Sequence, residues 1–117
     1  MQQKDCIMIV ATMDRIFKAL AHPTRREILD RLYEEPGQTL TDLIAGLGMR
    51  RQSATRHLVI LESAELVVIR WRGRGKLHYL NPLPIAEIGE RWIDRFSKPR
   101  ARALLNLKRA LEESEND

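Results

Sequence analysis

The spacing of apolar residues changes once along this chain, immediately after Leu66. Before that point apolar residues recur every three or four positions, as they do in amphipathic helices. After it, residues 67–72 and 76–80 alternate with a period of about two, on either side of Gly73-Arg74-Gly75. Alternation of this kind predicts a two-stranded hairpin with its tip at Arg72 to Lys76. The fold class expected is therefore mostly α with a small β-hairpin.

Two helices are predicted in the N-terminal third of the chain. The first starts near Thr12 or Asp14 and ends before Pro23, which is suited to the first turn of the second helix. Pro36 and the glycine after it end that second helix. The apolar positions expected on the inner faces of these helices are Met13, Ile16, Phe17, Leu20, Ile28, Leu29 and Leu32.

Two further helices are predicted before the hairpin. Thr39 followed three residues later by Asp42 matches an N-terminal capping box, and glycines at 46 and 48 keep the third helix short. The fourth helix runs from Arg50, with Ala54, Leu58 and Leu61 facing inward. Two helices joined by a tight turn that contains glycine form a helix-turn-helix, and a hairpin that follows one is called a wing.

The C-terminal third is predicted to be helical. Residues 81–84, Asn-Pro-Leu-Pro, end the hairpin and open a helix that Pro99 interrupts, and a last helix precedes a frayed acidic tail over residues 112–117. The apolar stripe of these helices comprises Ile85, Ile88, Trp92, Ile93, Phe96, Leu104, Leu107 and Leu111. A chain of 117 residues with 44% hydrophobic content supports one domain. We expect that domain to cover residues 1–117, with its core at about 12–80 and dimerisation helices at about 84–114.

Composition excludes several classes of protein. No apolar run approaches the roughly 18 residues that span a bilayer, and the first residues lack a secretory signal. Cys6 is the only cysteine, so no disulfide can form within the chain, which agrees with a reducing compartment and predicts a cytoplasmic protein. No grouping of nucleophile and base and no phosphate-binding glycine loop is present, so we expect no enzyme and no cofactor.

Positive charge is concentrated in one stretch. Residues 50–76 carry seven Arg or Lys against two acids, a balance of +5, whereas residues 1–49 sum to −1 and residues 77–117 to zero. This stretch therefore accounts for the whole +4 excess of the chain. Concentrated positive charge on a helix and an adjoining hairpin is typical of a surface that binds a polyanion, which makes double-stranded DNA the expected partner.

Three stretches taken together point to a family. They are Phe17 to Arg26 with Ile28-Leu29 behind it, Ser53 to Leu58 with Leu61, and the wing residues Gly73, Arg74, Leu77, His78 and Tyr79. Over about residues 12–96 the chain resembles the winged-helix domain of ArsR-type bacterial transcriptional regulators. The resemblance implies a homodimer, paired through the first helix and the helix after the wing, that binds pseudo-palindromic operator DNA and usually represses transcription.

The sequence departs from the family pattern at three places. Arg50 stands where the family usually has a serine that caps the recognition helix, a loss of about 0.5 to 2 kcal/mol. Glu65 stands where a glycine usually ends that helix, so either the terminal turn differs or a non-glycine residue bears strain. The third helix carries no cysteine at Leu40 to Leu43, which indicates the subgroup without metal-sensing cysteines.

The fourth helix is predicted to read the major groove. Arg51 can bridge O6 and N7 of guanine, and Gln52 can bridge N6 and N7 of adenine. Residues expected to read bases or to hold phosphate beside them are Ser53, Thr55, Arg56 and His57. Residues better suited to phosphate or minor-groove contact are Thr41, Arg50, Arg72, Arg74 and Lys76.

Several candidate residues have simpler explanations. His57 could donate to a phosphate or could pack at the base of the helix, and the two interpretations stay open. His22 is expected to cap the second helix, and His78 is expected to point outward from the wing into solvent. Three scattered histidines and one cysteine lack the spacing of a metal site, and Cys6 is expected to be an unreactive thiol rather than a redox sensor.

The two ends of the chain are predicted to form a dimer interface, because one protomer cannot readily cover so much apolar helix surface. Its expected residues are Met13, Ile16, Phe17, Ile85, Ile88, Trp92, Ile93, Phe96, Leu104 and Leu107. The leading hypothesis is thus a dimeric repressor. The alternatives are a winged helix that binds an acidic protein without operator specificity, and a variant of the regulator that responds to a thiol oxidant or a small molecule.

Overall fold

The computed structural model describes residues 3–96 and 99–115, with side chains from residue 12 onward. The chain divides into two compact units, Met1–Ile85 and Ala86–Asp117. The elements, in chain order, are α1 (Gln3–Leu20), α2 (Pro23–Glu34), α3 (Leu40–Leu47), α4 (Arg51–Ser63), β1 (Val67–Arg72), β2 (Gly75–Leu80), α5 (Leu83–Ile88), a π-helical segment (Gly89–Ile93), α6 (Asp94–Phe96) and α7 (Pro99–Glu115). The predicted fold class, mostly helical with one antiparallel hairpin, is confirmed.

Helix α1 begins earlier than the sequence pattern predicted. It starts at Gln3 rather than near Thr12 or Asp14. No proline or glycine lies between Gln3 and Leu20, so nothing in the sequence stops the helical backbone from extending toward the N-terminus. The regular apolar spacing of residues 13–20 indicated which part of α1 faces the core. It did not mark the residue at which the helix begins.

The core of the first unit is formed by the predicted inner faces of the helices. Ile28, Leu29 and Leu32 of α2 are buried, and so are Ala54, Leu58 and Leu61 of α4. Burying a leucine or isoleucine side chain contributes roughly 1.5–3 kcal/mol. The fully buried large side chains are Ile16, Ile28, Leu32, Leu43, Leu61 and Leu66. These contacts fix α4 on the other helices and thereby fix which of its faces meets solvent.

Two arginines of α2 close the C-terminal end of α1. Arg25 donates from Nε to the carbonyl of Ala19 at 2.8 Å and from Nη2 to the carbonyl of Lys18 at 2.9 Å. Arg26 donates from Nη1 to the carbonyl of Leu20 at 2.7 Å. The last carbonyls of a helix have no partner within it, and guanidinium groups supply donors and favourable charge there. The Arg25-Arg26 pair therefore joins α1 to α2.

Both ends of α2 are capped by side chains. His22 is the N-cap, as predicted, and its Nδ1 accepts from the backbone N–H of Thr24 at 3.1 Å. At the other end, Gln38 is 7% exposed and its amide donates to the carbonyls of Arg31 and Glu35. A buried amide is tolerated because its donors are satisfied.

The predicted capping box at the start of α3 is confirmed. The Thr39 hydroxyl accepts from the backbone N–H of Asp42 at 3.1 Å, and the Asp42 carboxylate accepts from the backbone N–H of Thr39 at 3.0 Å. Gly48 ends the helix in the left-handed region, with φ 63°. Near this end, Arg31 donates to the carbonyl of Gly46, and a Cβ at position 46 would collide with its guanidinium group.

The two ends of α4 show the expected departures from the family pattern. Arg50 is the N-cap residue and makes no capping hydrogen bond with its side chain. At the C-terminal end, Glu65 adopts φ 60°, and the backbone N–H groups of Glu65 and Leu66 bond to the carbonyls of Glu62 and Leu61. This is a Schellman motif with glutamate at the position that favours glycine, so the residue bears strain.

The hairpin pairs β1 with β2 from Val67↔Leu80 to Arg72↔Gly75. Its tip is the two-residue turn Gly73-Arg74, which corrects the wider predicted tip, because Arg72 and Lys76 both lie in the strands. Gly73 has φ 61°, the left-handed conformation that favours glycine. A two-residue turn of this kind matches the twist of the strands and allows pairing up to Arg72.

The prediction for His78 is wrong. It is 4% exposed, its backbone pairs with Gln38, and its Nδ1 donates to the Gln38 carbonyl at 2.9 Å. Simple alternation along β2 placed it in solvent, but the register pairs it with Ile69 on the face of the hairpin that also carries buried Val67, and the loop after α2 forms a β-bridge to it. The long-range bridge between residues 38 and 78 has no local sequence signal.

In the second unit, Pro99 begins α7, and the helical segment before it ends at Phe96. The predicted frayed tail is corrected in part, because α7 remains helical through Glu115 and Lys108 pairs with Glu112 one turn later at 3.8 Å. Over residues 3–96 and 99–115, no helix combines the length and the apolar character needed to cross a bilayer.

Candidate nucleic-acid interface

The face of α4 that points away from the core is polar and exposed. Arg51, Gln52, Ser53, Thr55 and Arg56 are all exposed, and the buried positions of the same helix lie on its other side. The side chains group in this way because the helix turns about 100° per residue. The structure thus places the predicted reading residues together on one accessible helix.

Most of these side chains are free to bind a ligand. Within the described part of the chain, no hydrogen bond or ion pair engages the guanidinium groups of Arg51 and Arg56 or the amide of Gln52. Thr55 differs, because its hydroxyl donates to the Arg51 carbonyl at 2.9 Å within the helix. Its oxygen can still accept a hydrogen bond, so Thr55 is a weaker candidate reader than its neighbours.

The N-terminal end of α4 has free backbone donors. Arg50 supplies no side-chain cap, and among the described residues no acceptor engages the first N–H groups of the helix. Such an end attracts anions, and the exposed Arg50 adds a full positive charge beside it. Thr41, on α3, is also exposed. This combination is chemically suited to a phosphate group.

The wing carries exposed cations on both faces and at its tip. Residues 67–80 contain three arginines and one lysine and no acid. Arg70 and Arg72 lie on one face of β1, Arg74 is in the turn, and Lys76 pairs across the strands with Trp71 on the other face. All five side chains are exposed, and the Nζ atom of Lys76 is 5.2 Å from the centroid of the Trp71 ring.

His57 lies on α4 but belongs to a packed cluster. Its Nδ1 is 3.4 Å from Nη1 of Arg25, and its ring centroid is 4.5 Å from that of His22. Burial, followed by the charges of His22, Arg25 and Arg56, lowers the pKa of His57. A lowered pKa favours the neutral ring, so of the two interpretations left open by the sequence, the packed histidine has the structural support.

Two exposed wing residues were not among the predicted site residues, namely Arg70 and Trp71. Alternation in β1 puts Arg70 on the same face as Arg72, so the charge pattern could have identified it. Trp71 shares a face of β1 with Val67 and Ile69, yet it is 65% exposed. The strand extends past the core at this point, which the local pattern does not reveal.

Among the described side chains, no group of His, Cys, Asp and Glu is placed to hold a metal ion. The side chain of Cys6, whose redox role was weighed above, lies outside the described residues.

The second unit exposes a large apolar surface. Trp92 and Phe96 pack at 4.9 Å between ring centroids, and with Ala101 and Leu105 they line an open groove of about 370 Å³. Exposed fractions of the predicted interface residues in this unit are 53% for Trp92, 56% for Ile93, 57% for Phe96, 64% for Leu104 and 57% for Leu107. This apolar surface is accessible on the single chain.

The remaining predicted interface residues differ in accessibility. Phe17 is 44% exposed, Ile85 is 38% exposed and Met13 is half-buried. Ile16 and Ile88 are only 2% and 4% exposed in the single chain. They are therefore residues of the protomer interior and offer little surface to a second copy.

Comparison with known proteins gives consistent results. A family profile described as a helix-turn-helix domain matches residues 20–70. The uncharacterised HTH-type transcriptional regulator YuzN of Bacillus subtilis is 37% identical over 87 residues, which cover 69% of this chain and 95% of the relative. The transcriptional repressor SdpR of the same species is 35% identical over 69 residues, covering 59% of this chain and 76% of the repressor.

Solved structures show the same similarity. An ArsR-like transcriptional regulator from Rhodococcus sp. RHA1 superposes with a TM-score of 0.68 at 26% identity, covering 87% of this chain and 94% of that one. The homodimeric winged helix-turn-helix DNA-binding domain Mb0332 from Mycobacterium bovis superposes with a TM-score of 0.65 at 25% identity, covering 75% and 81%.

Proposed function

This chain belongs to the ArsR-type winged helix-turn-helix transcriptional regulators, and from that premise we propose that it is a homodimeric repressor that binds a pseudo-palindromic operator sequence-specifically. The observation that carries the proposal is the exposed face of α4, on which Arg51 and Gln52 have no partner among the described residues. A repressor of this kind acts on DNA in the cytoplasm. The similar protein SdpR is a transcriptional repressor.

In this proposal α4 enters the major groove. The groove is about 12 Å wide and admits one helix, and its base edges carry a distinct donor and acceptor pattern. Arg51 and Gln52 read base edges, because a guanidinium group suits guanine and an amide suits adenine. Ser53, Thr55 and Arg56 hold the neighbouring bases or phosphates. His57 takes no direct part, because its ring is packed against His22 and Arg25.

The other basic residues position the protein without specifying the sequence. Thr41 and Arg50 hold phosphates beside the N-terminal end of α4, where backbone N–H groups add to the attraction. Arg72, Arg74 and Lys76 place the wing on the backbone or over the minor groove, and we add Arg70 to this group because it is equally exposed. Contacts of this kind release counterions and make binding sensitive to salt.

The second unit supplies the dimer contact. We propose one winged helix-turn-helix domain over residues 1–117, with its core at about 12–80 and dimerisation helices at about 84–114. The exposed apolar side chains of α7 and the preceding segment support this, and the similar Mb0332 domain is homodimeric. A two-fold dimer sets two recognition helices about 34 Å apart, the spacing of successive major grooves.

Selection of duplexes from a random library tests the proposal. We expect the recovered sequences to contain an inverted repeat with half-sites about one helical turn apart. The Arg51→Ala variant should fail to enrich that repeat, whereas Arg15→Ala, an exposed arginine on α1, should enrich it normally. If the unaltered chain enriches no motif and binds an acidic protein as tightly as it binds DNA, the operator-binding proposal is wrong. The alternative of a protein-interaction winged helix then replaces it.

A further inference from the structure

Trp71 is the most conspicuous side chain of the wing. It lies in β1, two residues before the Gly73-Arg74 turn, and 65% of its surface is exposed. Tryptophan carries a large apolar surface that proteins usually bury, either in the core or in an interface. Its contact with Lys76, 5.2 Å from cation to ring centroid, covers little of the ring.

The pairing register shows why this ring is exposed. Val67↔Leu80, Ile69↔His78 and Trp71↔Lys76 lie on one face of the hairpin, because alternate pairs share a face. On that face Val67 and His78 are buried, at 2% and 4% exposed. The Trp71↔Lys76 pair continues the same face outward, past the end of the core. Trp71 is thus presented by a strand whose base is held rigidly.

The surroundings of the ring restrict what can cover it. Within residues 67–80, Arg70, Arg72, Arg74 and Lys76 are exposed and no acidic residue is present. A partner that packs on Trp71 must therefore also accept several positive charges at short range. The minor groove of DNA combines both properties, since its walls are deoxyribose faces and its edges are lined with phosphate.

We propose that Trp71 inserts its indole ring into the minor groove of bound DNA, packing on deoxyribose and base edges, while Arg74 and Lys76 bind the flanking phosphates. The proposal rests on the proposed function, since it assigns a contact within the same DNA complex. Apolar side chains of minor-groove-binding proteins do enter this groove, and contact between an aromatic ring and a nucleotide is a non-ionic source of affinity. Trp71 would then contribute affinity that does not depend on salt.

Salt titrations separate this contact from the ionic ones. The probe is a mixed-sequence duplex of about 30 base pairs, long enough for two half-sites. We expect Trp71→Ala to lower affinity about tenfold at every salt concentration, leaving the slope of log K against log salt unchanged. Arg74→Ala should instead reduce that slope by about one unit per protomer of the bound dimer. Tyr33→Ala, which removes another exposed aromatic ring, is the matched control and should bind normally.

Fluorescence locates the ring directly. Trp71 and Trp92 are the two tryptophans, so Trp92→Phe leaves Trp71 as the single reporter, with its own duplex affinity as the reference. We expect the duplex to quench Trp71 emission and to protect it from acrylamide, whereas heparin, a polyanion without bases, should do neither. Equal effects from heparin, or unchanged duplex affinity of Trp71→Ala, would overturn the inference and leave the proposed function intact. If the unaltered chain binds no duplex, both fall together.

Discussion

The two exposed surfaces of this chain differ in chemistry. The surface of α4 and the wing is polar and cationic, whereas the surface of α7 and the segment before it exposes Trp92, Phe96 and Leu104. Charged side chains are well solvated in water, so the first surface is stable without a partner and can bind and release a polyanion. Burial of apolar side chains lowers the free energy, so the second surface favours a stable contact with another apolar surface. This difference in chemistry supports the proposal that the first surface binds DNA reversibly and that the second forms the dimer contact.

The largest expected effect comes from placing a charge on the apolar surface. Phe96→Glu should raise the dissociation constant of the dimer by roughly two orders of magnitude or more, because a two-fold interface buries the altered position twice. Operator affinity should fall with it, since a monomer holds only one half-site. Sedimentation velocity and duplex titration measure the two effects.

Tyr33→Glu is the matched control for this change. Tyr33 is 76% exposed on α2 and lies outside the predicted interface, so the same charge there should leave the sedimentation coefficient unchanged. A Phe96→Glu protein that remains a dimer at micromolar concentration would show that the apolar surface has another role.

The next effect in size concerns sequence reading by the basic surface. Gln52→Ala should cost about 1 to 3 kcal/mol on the selected operator, because an adenine-reading amide is lost, and should barely change affinity for mixed-sequence DNA. Competition between the two duplexes in one titration gives the specificity ratio. An equal loss on both duplexes would mean that Gln52 positions the helix and does not read a base.

A third effect separates stability from binding at Arg50. In Arg50→Ser the hydroxyl can accept from a free N–H of α4, which should raise the free energy of unfolding by about 0.5 to 2 kcal/mol. The same change removes one phosphate contact from each protomer and should lower the salt slope of DNA binding by about one unit per protomer. Urea denaturation should show a higher free energy of unfolding, and salt titration should show a smaller salt slope of DNA binding. If stability and affinity both increase, Arg50 contributes nothing to the basic surface.

The sequence predicted those elements whose signals are local. Capping at Thr39 and His22, the buried stripe of α4 and the period change after Leu66 all depend on residues a few positions apart. The unusual φ of Glu65 was also among the outcomes expected, because the position that follows a helix favours glycine whatever residue occupies it. The exposure of the predicted reading face follows from the same helical period.

The errors occurred where distant segments meet or end. His78 is buried because it pairs with Ile69 on the hairpin face that also carries buried Val67, and because it bonds to Gln38, 40 residues away. No pattern within β2 contains that information. The exposure of Trp71 could not be predicted either, because it depends on where the core ends, at Ile69↔His78, the preceding pair on the same face of the hairpin. The start of α1 at Gln3 was missed because apolar spacing indicates packing and does not mark where the hydrogen-bonded backbone begins. The burial of His78 and the exposure of Trp71 depend on tertiary context, which overrides local periodicity.

The smallest expected effect tests whether His57 belongs to the basic surface of α4 or to the packed interior beneath it. Burial, with His22, Arg25 and Arg56 nearby, lowers its pKa, so the folded chain binds this proton less readily than the unfolded chain does. The contribution of neutral His57 to the stability of the fold is fully present above the unfolded-state pKa of about 6.5. It is lost as the pH falls through the lower pKa of the folded state. Urea denaturation from pH 8 to pH 5 should therefore show a shallower decline for His57→Gln than for the unaltered chain.

An NMR titration of the His57 ring with and without the selected duplex completes this test. A ring packed against Arg25 should titrate below about 6.5 and keep nearly the same midpoint when DNA is added. A ring that donates to a phosphate should instead gain a proton, because the nearby negative charge favours the charged form and raises its pKa. A large upward shift on binding would move His57 from the packed core to the basic surface. The division of α4 into a reading face and a packed face would then have to be redrawn at this residue.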